Sequence, residues 1–204
     1  MKKKSILLYS CFLLSMPMMA QQNHASDSKA QNKALRDSLA AATNVLAYHP
    51  DSIDLRLKKA AWNIQLEQWA YAKDDLDKVL FLNNTNIAGL FYRAFVNEKM
   101  KRYNFARLDY QNLLVLVPGN FQAQLGLALL NEKDKHYTEA YGGINNLIEQ
   151  YPDSALAYAA RGGIEKERGM LELAEYDYAK AMSLDEGNQD YRINHIDLLI
   201  SGII

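Results

Sequence analysis

Four histidines, His24, His49, His136 and His195, are the residues of this 204-residue chain whose type best suits metal binding or proton transfer. They are scattered, and no two lie at i, i+3 or i, i+4 spacing. His136 has acidic company in Glu132 and Asp134, a grouping that reads as a solvated helix end. Asp74, Asp75 and Asp77 form a small acidic cluster on a helical stretch. They lack the twelve-residue pattern with a central glycine that a calcium loop needs, so they read as a solvated helix face. Gly142-Gly143 and Gly162-Gly163 lack the spacing of a phosphate loop and follow no strand. Close contacts between helices explain them better. No nucleophile elbow occurs, and the single cysteine, Cys11, excludes an internal disulfide and a multi-cysteine metal site. The expectation is no catalytic residue, no metal and no cofactor.

The balance of the chain is that of an ordinary folded protein rather than a disordered one. Hydrophobic residues make up 49% and charged residues 23%, enough to bury a core. Bases number 23 and acids 24, for a formal charge of −1. A basic nucleic-acid binder is therefore not expected.

Residues 1–20 read as an export signal. Lys2, Lys3 and Lys4 precede the uncharged stretch Ser5 to Met18, then Met18-Met19-Ala20, and Gln21-Gln22-Asn23 turn polar at once. This is the layout of a secretory signal peptide, with an apolar run shorter than the roughly 20 residues that span a bilayer. Cleavage after Ala20 removes three lysines and no acid, leaving 20 bases against 24 acids, a charge of −4. Leu8-Tyr9-Ser10-Cys11 resembles a bacterial lipobox and leaves open a lipid anchor on Cys11. An exported protein of the periplasm or cell envelope is expected, with Gln21 to Ser28 as a disordered linker.

The rest of the chain repeats every 34 residues without a gap. Ala72, Ala106, Ala140 and Ala174 form one column. Trp69, Tyr103, Tyr137 and Leu171 form another, and Ala60, Ala94, Ala128 and Gly162 a third. Leu76, Tyr110, Ile144 and Tyr178 are large throughout, as are Val79, Leu113 and Leu147, with Ala181 closing that series. Pro50, Pro118 and Pro152 fall on the same comb. A fixed period of this size means stacked supersecondary units. Within the second unit, Ala88 to Met100 and Phe105 to Leu116 show helical spacing, and Pro118 stops the second helix. Asn86, Asn120, Ser154 and Asn188, with Ser52 before them, suit the N-cap of each following helix. Each unit is a helix hairpin, and the small columns mark where its helices cross closely.

This pattern resembles the tetratricopeptide repeat over Ile53 to Asn188, with units at 53–86, 87–120, 121–154 and 155–188. The first unit lacks the closing proline, and the fourth has Leu171 where an aromatic is usual. The resemblance implies an all-α superhelix, a solenoid of stacked antiparallel hairpins whose concave face is lined by the first helix of each unit. Lys29 to Pro50 reads as a second helix without a first, and 189–204 as a capping helix with an unusually apolar end. Asp37-Ser38-Leu39, Asp51-Ser52-Ile53 and Asp153-Ser154-Ala155 also resemble the O-glycosylation signal of some Bacteroidetes envelope proteins, although the latter two are better explained as caps of the next helix.

By analogy with such repeats the concave strip carries Leu57, Phe91, Phe95, Glu98, Leu125, Leu129 and Glu132. The implied ligand is a protein or peptide partner, with Glu98 and Glu132 favouring basic residues on it. Core packing of Phe91 and Phe95 is the competing reading. The places of a carboxylate clamp hold Leu57, Ala61, Tyr92, Gln122 and Gly126, so capture of a peptide C-terminus in that manner is not expected. The runner-up to a non-catalytic adaptor is an assembly of copies docked through the apolar C-terminal helix. A glycan-binding protein or enzyme comes third. No nucleic-acid partner is implied, and a membrane is implied only through a lipid on Cys11.

Overall fold

A computed structural model describes residues 24–203, with the side chains of 28–200. The expectations for the signal segment and Cys11 lie outside the described residues. Among these there are ten helices and no strand. They are α1 (His24–Tyr48), α2 (Ile53–Gln65), α3 (Trp69–Leu82), α4 (Ile87–Lys99) and α5 (Tyr103–Leu116), then α6 (Phe121–Lys133), α7 (Tyr137–Gln150), α8 (Ala155–Glu167), α9 (Leu171–Leu184) and α10 (Gln189–Ile203). Residues 24–28, expected within a disordered linker, belong to α1 instead. The chain divides after Ala123 into two compact units. The N-terminal unit holds α1 to α5 and the start of α6. The C-terminal unit holds the rest of α6 and α7 to α10.

Local chemistry sets the helix ends. Asn86 accepts a hydrogen bond from the Gly89 amide at 2.7 Å, Asn120 from Ala123 at 2.9 Å and Ser154 from Ala157 at 3.2 Å. Each satisfies a donor that a helix start leaves open. Ser52 has the extended N-cap backbone without a side-chain bond. Every hairpin turn is built alike. Glu67, Lys101, Lys135 and Gly169 are left-handed, with φ between 55° and 74°. The next amide reaches back over the turn, as Arg102 does to the Asn97 carbonyl at 2.7 Å. This is the Schellman closure, in which glycine is the least strained residue. Only the fourth turn uses it. Lys101→Gly should therefore stabilise the N-terminal unit by about 0.5–1 kcal/mol. Urea denaturation checks this, and a loss of stability would mean that the lysine side chain contributes more than its backbone strain costs.

The small columns are the helix crossings. Ala60, Ala72, Ala94 and Ala106 are fully buried in the N-terminal unit, beside Leu76, Val79, Tyr110 and Leu113. In the C-terminal unit a Cβ on Gly162 would lie 3.1 Å from the Tyr178 ring and 3.3 Å from the Ala174 carbonyl oxygen. A Cβ on Gly143 would lie 3.2 Å from that of Ala128, whereas one on Gly142 would meet nothing. The close-contact reading of the glycine pairs therefore holds for Gly143 and Gly162 and fails for Gly142. Ala106→Leu should cost roughly 1–3 kcal/mol by overpacking, and an unchanged melting temperature would contradict this crossing.

Ion pairs tie the hairpins together. Arg93 of α4 grips Asp109 of α5 with two bonds, Nε to Oδ2 at 2.9 Å and Nη2 to Oδ1 at 2.7 Å. Its Nη1 reaches Asp77 of α3, in the preceding hairpin, at 3.0 Å. Arg161 of α8 repeats this with Asp177 of α9 at 2.6 and 2.8 Å and with Asn145 of α7 at 2.9 Å. In the first hairpin Arg56 and Lys59 share Asp75. The solvated acidic cluster is thereby corrected. Asp74 is exposed, but Asp75 is buried against two cations and Asp77 pairs with Lys73 and Arg93. The third hairpin carries Leu127 and Gly143 in these places.

Candidate peptide-binding surface

The seven strip residues divide between the two compact units. Leu57, Phe91, Phe95 and Glu98 belong to the N-terminal unit, and Leu125, Leu129 and Glu132 to the C-terminal one. In the N-terminal unit α2, α3 and α4 enclose a core of Ala60, Ile64, Ala72, Leu76 and Val96. Leu57, Trp69, Tyr92, Phe95 and Met100 lie half-buried over it. The Phe95 ring stands edge-on to Trp69, with centroids 6.1 Å apart and planes at 73°. The Lys99 ammonium sits over both rings, 5.2 Å from Phe95 and 6.0 Å from Trp69. Phe91, also half-buried, leans on Tyr92 with centroids at 5.7 Å. These contacts suit aromatic quadrupoles and a cation, and each ring keeps part of its surface in water. Phe95 is thus both a lid on the core and a partly open face.

Three strip residues are corrected. Glu98 is buried and accepts a hydrogen bond from the Tyr110 hydroxyl at 2.6 Å, across its own hairpin. Its carboxylate is part of the α4–α5 contact and presents no charge to a ligand. Leu125 and Leu129 are core residues at 7% and 3% exposure. The cause is that α6 is apolar nearly all round from Ala123 to Leu130, and such a helix buries more than one face. Glu132 is half-buried. Its carboxyl is raised above the ordinary value, first by burial, with Glu167 adding to the shift and Lys133 opposing it.

The charge beside the strip is therefore not the acidic one expected. On α2 and α4 the exposed charged residues are Asp54, Lys58 and Lys99, and of these Lys99 lies over the Phe95 ring. Lys99 was legible as a helix-end lysine, but its place over two rings depends on Trp69, which comes from the start of the preceding helix, α3.

The C-terminal unit contains a second polar group that the sequence reading passed over. Glu165 of α8 is 1% exposed and accepts a bond from the Tyr141 hydroxyl of α7 at 3.0 Å. Its Oε1 is 4.0 Å from Arg161 Nε, and its Oε2 is buried without a hydrogen-bond partner. Burial, followed by the negative charge of Asp177, pushes its carboxyl up to about 7. The same burial, followed by the bond to Glu165, raises the Tyr141 hydroxyl. One guanidinium thus serves two carboxylates. The signal for this group was the glutamate in a column otherwise filled by Asn63, Asn97 and Asn131.

His136 is exposed at the start of α7. No group of three histidine, cysteine or acidic residues that could hold a metal is found among the described residues, and no helix among them is long and apolar enough to cross a membrane.

No protein-family model matches the sequence, and no curated protein is close enough in sequence to match. Solved structures do match in fold. The thermophilic tetratricopeptide-repeat protein TTC0263 of Thermus thermophilus is 15% identical, with a TM-score of 0.68 over 89% of this chain and 100% of that one. A tetratricopeptide-repeat protein of Parabacteroides merdae is 20% identical, with a TM-score of 0.57 over 87% and 82%. YrrB, described as a tetratricopeptide-repeat protein with an unusual peptide-binding site, is 17% identical, with a TM-score of 0.58 over 79% and 84%. The chain has the tetratricopeptide-repeat fold.

Proposed function

We propose that this tetratricopeptide-repeat chain is a non-catalytic scaffold that holds a protein or peptide partner in the bacterial cell envelope. The observation that carries the binding reading is the half-exposed aromatic surface of α2 and α4, where Leu57, Phe91 and Phe95 keep open area and Lys99 lies over the Phe95 ring. Such a surface takes an apolar or aromatic side chain and favours an acidic group next to it. The peptide-binding site named for YrrB supports the reading by analogy of fold. The envelope location rests on the Lys2–Ala20 pattern.

A peptide library displayed on phage tests the surface directly. Selected peptides should pair aromatic with acidic residues, and Phe91→Ala should weaken their binding at least tenfold while costing less than about 1 kcal/mol of stability. Unchanged binding by the Phe91 variant would remove the surface from consideration. Intact-mass measurement on protein from its own host tests the location. A chain starting near Gln21 is expected, a lipid-bearing chain starting at Cys11 would replace secretion with anchoring, and a full-length chain would refute export.

A further inference from the structure

The helices at the two ends of the repeat array are unlike halves of one hairpin. α10 begins 34 residues after α8, so it is a first helix. Tyr191 and Leu198 stand in the columns of Ala157 and Ile164 and are buried, as those are, against α9 and its neighbours. The face that would meet its own second helix is open. Ile196, in the column of Ala60, Ala94, Ala128 and Gly162, is 54% exposed, and Leu199, in the column of Asn63, Asn97 and Glu165, is 44% exposed. α1 is the converse. Its last residue, Tyr48, lies 34 before Leu82, the last of α3, so it has the place of a second helix. Leu46 and Ala42 are buried, while Val45 is 48% exposed although Val79, Leu113 and Leu147 in its column are fully buried.

The side chains of the two half-hairpins complement each other. In complete hairpins a small residue faces a large one, as Gly162 faces Tyr178 at 3.1 Å. At the ends the sizes are exchanged at one crossing, with Ile196 in the small column and Ala42 in that of Leu76, Tyr110, Ile144 and Tyr178, while Ser38 keeps the small size of Ala72 in its column. An exchange of sizes preserves the volume at the crossing.

We infer that α10 of one copy pairs with α1 of a second copy, completing a composite hairpin. The contact continues the same first-helix to second-helix interface that α2 and α3, α4 and α5, and α8 and α9 already make. It is head-to-tail, so each copy keeps one open end and the assembly grows or closes into a ring.

Light scattering across a concentration series tests this with the whole chain. Mass should rise with concentration in the unaltered protein. Val45→Glu and Ile196→Glu should each be monomeric at every concentration, with unchanged helical circular dichroism because both sites are half exposed. Mixed together, they should form one 1:1 species, since each variant retains the face the other has lost. Leu199→Glu serves in place of Ile196→Glu if the latter loses helicity. A monomeric unaltered protein, a Val45→Glu variant that still associates, or a mixture that fails to combine would overturn the inference. The second of these outcomes would mean that α10 pairs with another α10.

Discussion

Replacing Arg93 by leucine should destabilise the N-terminal unit by about 3–5 kcal/mol, because it leaves a buried carboxylate without its cation. Asp109 is 2% exposed and both its oxygens face the guanidinium. The Asp109 bond is also the main reason that the Arg93 guanidinium holds its proton more firmly than usual. A loss of this size is a large part of the 5–15 kcal/mol typical of a whole domain. Thermal melting should therefore shift by some tens of degrees. The third hairpin shows how the penalty can be relieved, since it carries Leu127 and Gly143 in place of the cation and the acid. Adding Asp109→Ala to Arg93→Leu should recover roughly half of the loss, because no unpaired charge then remains. Urea denaturation of the two single variants and the double variant measures this coupling. Additive losses would show that the pair contributes no more than two separate side chains.

Glu165→Gln should stabilise the C-terminal unit by roughly 1–3 kcal/mol at pH 8 and have little effect at pH 4.5. In the folded protein the Glu165 carboxyl is raised from its ordinary 4.5 to about 7, chiefly by burial and then by Asp177. The folded state thus binds a proton that the unfolded state has released. The stability this proton supplies is fully present below the ordinary value, falls as pH rises towards about 7, and is absent above that. Glutamine is neutral throughout and removes the dependence. It can still accept from the Tyr141 hydroxyl and can offer its amide hydrogens to Asp177. Urea denaturation at intervals from pH 4.5 to 8 should show a falling curve for the natural chain and a flatter one for the variant. Parallel curves would mean that Glu165 is ionised across the whole range, with Arg161 neutralising it.

The spacing of residues was sufficient to determine the hairpins. Helix starts follow from Asn86, Asn120 and Ser154, which act on amides three residues away, and the crossings follow from alanines and glycines in strict columns. Such signals are local or periodic and survive in one sequence. The Arg–Asp pairs were equally periodic, with Lys59, Arg93 and Arg161 each followed 16 residues later by Asp75, Asp109 and Asp177. They went unread because aspartate on a helix has solvent as its default partner. The face of the strip was decided by tertiary structure alone. Glu98 turns inward because the Tyr110 hydroxyl lies within reach across the hairpin, Leu125 and Leu129 are buried because α6 has no polar side to keep in water, and Lys99 stands over Phe95 because Trp69 packs beside it. Burial of a side chain is a property of its neighbours, and the neighbours on another helix come from distances that no window of sequence contains.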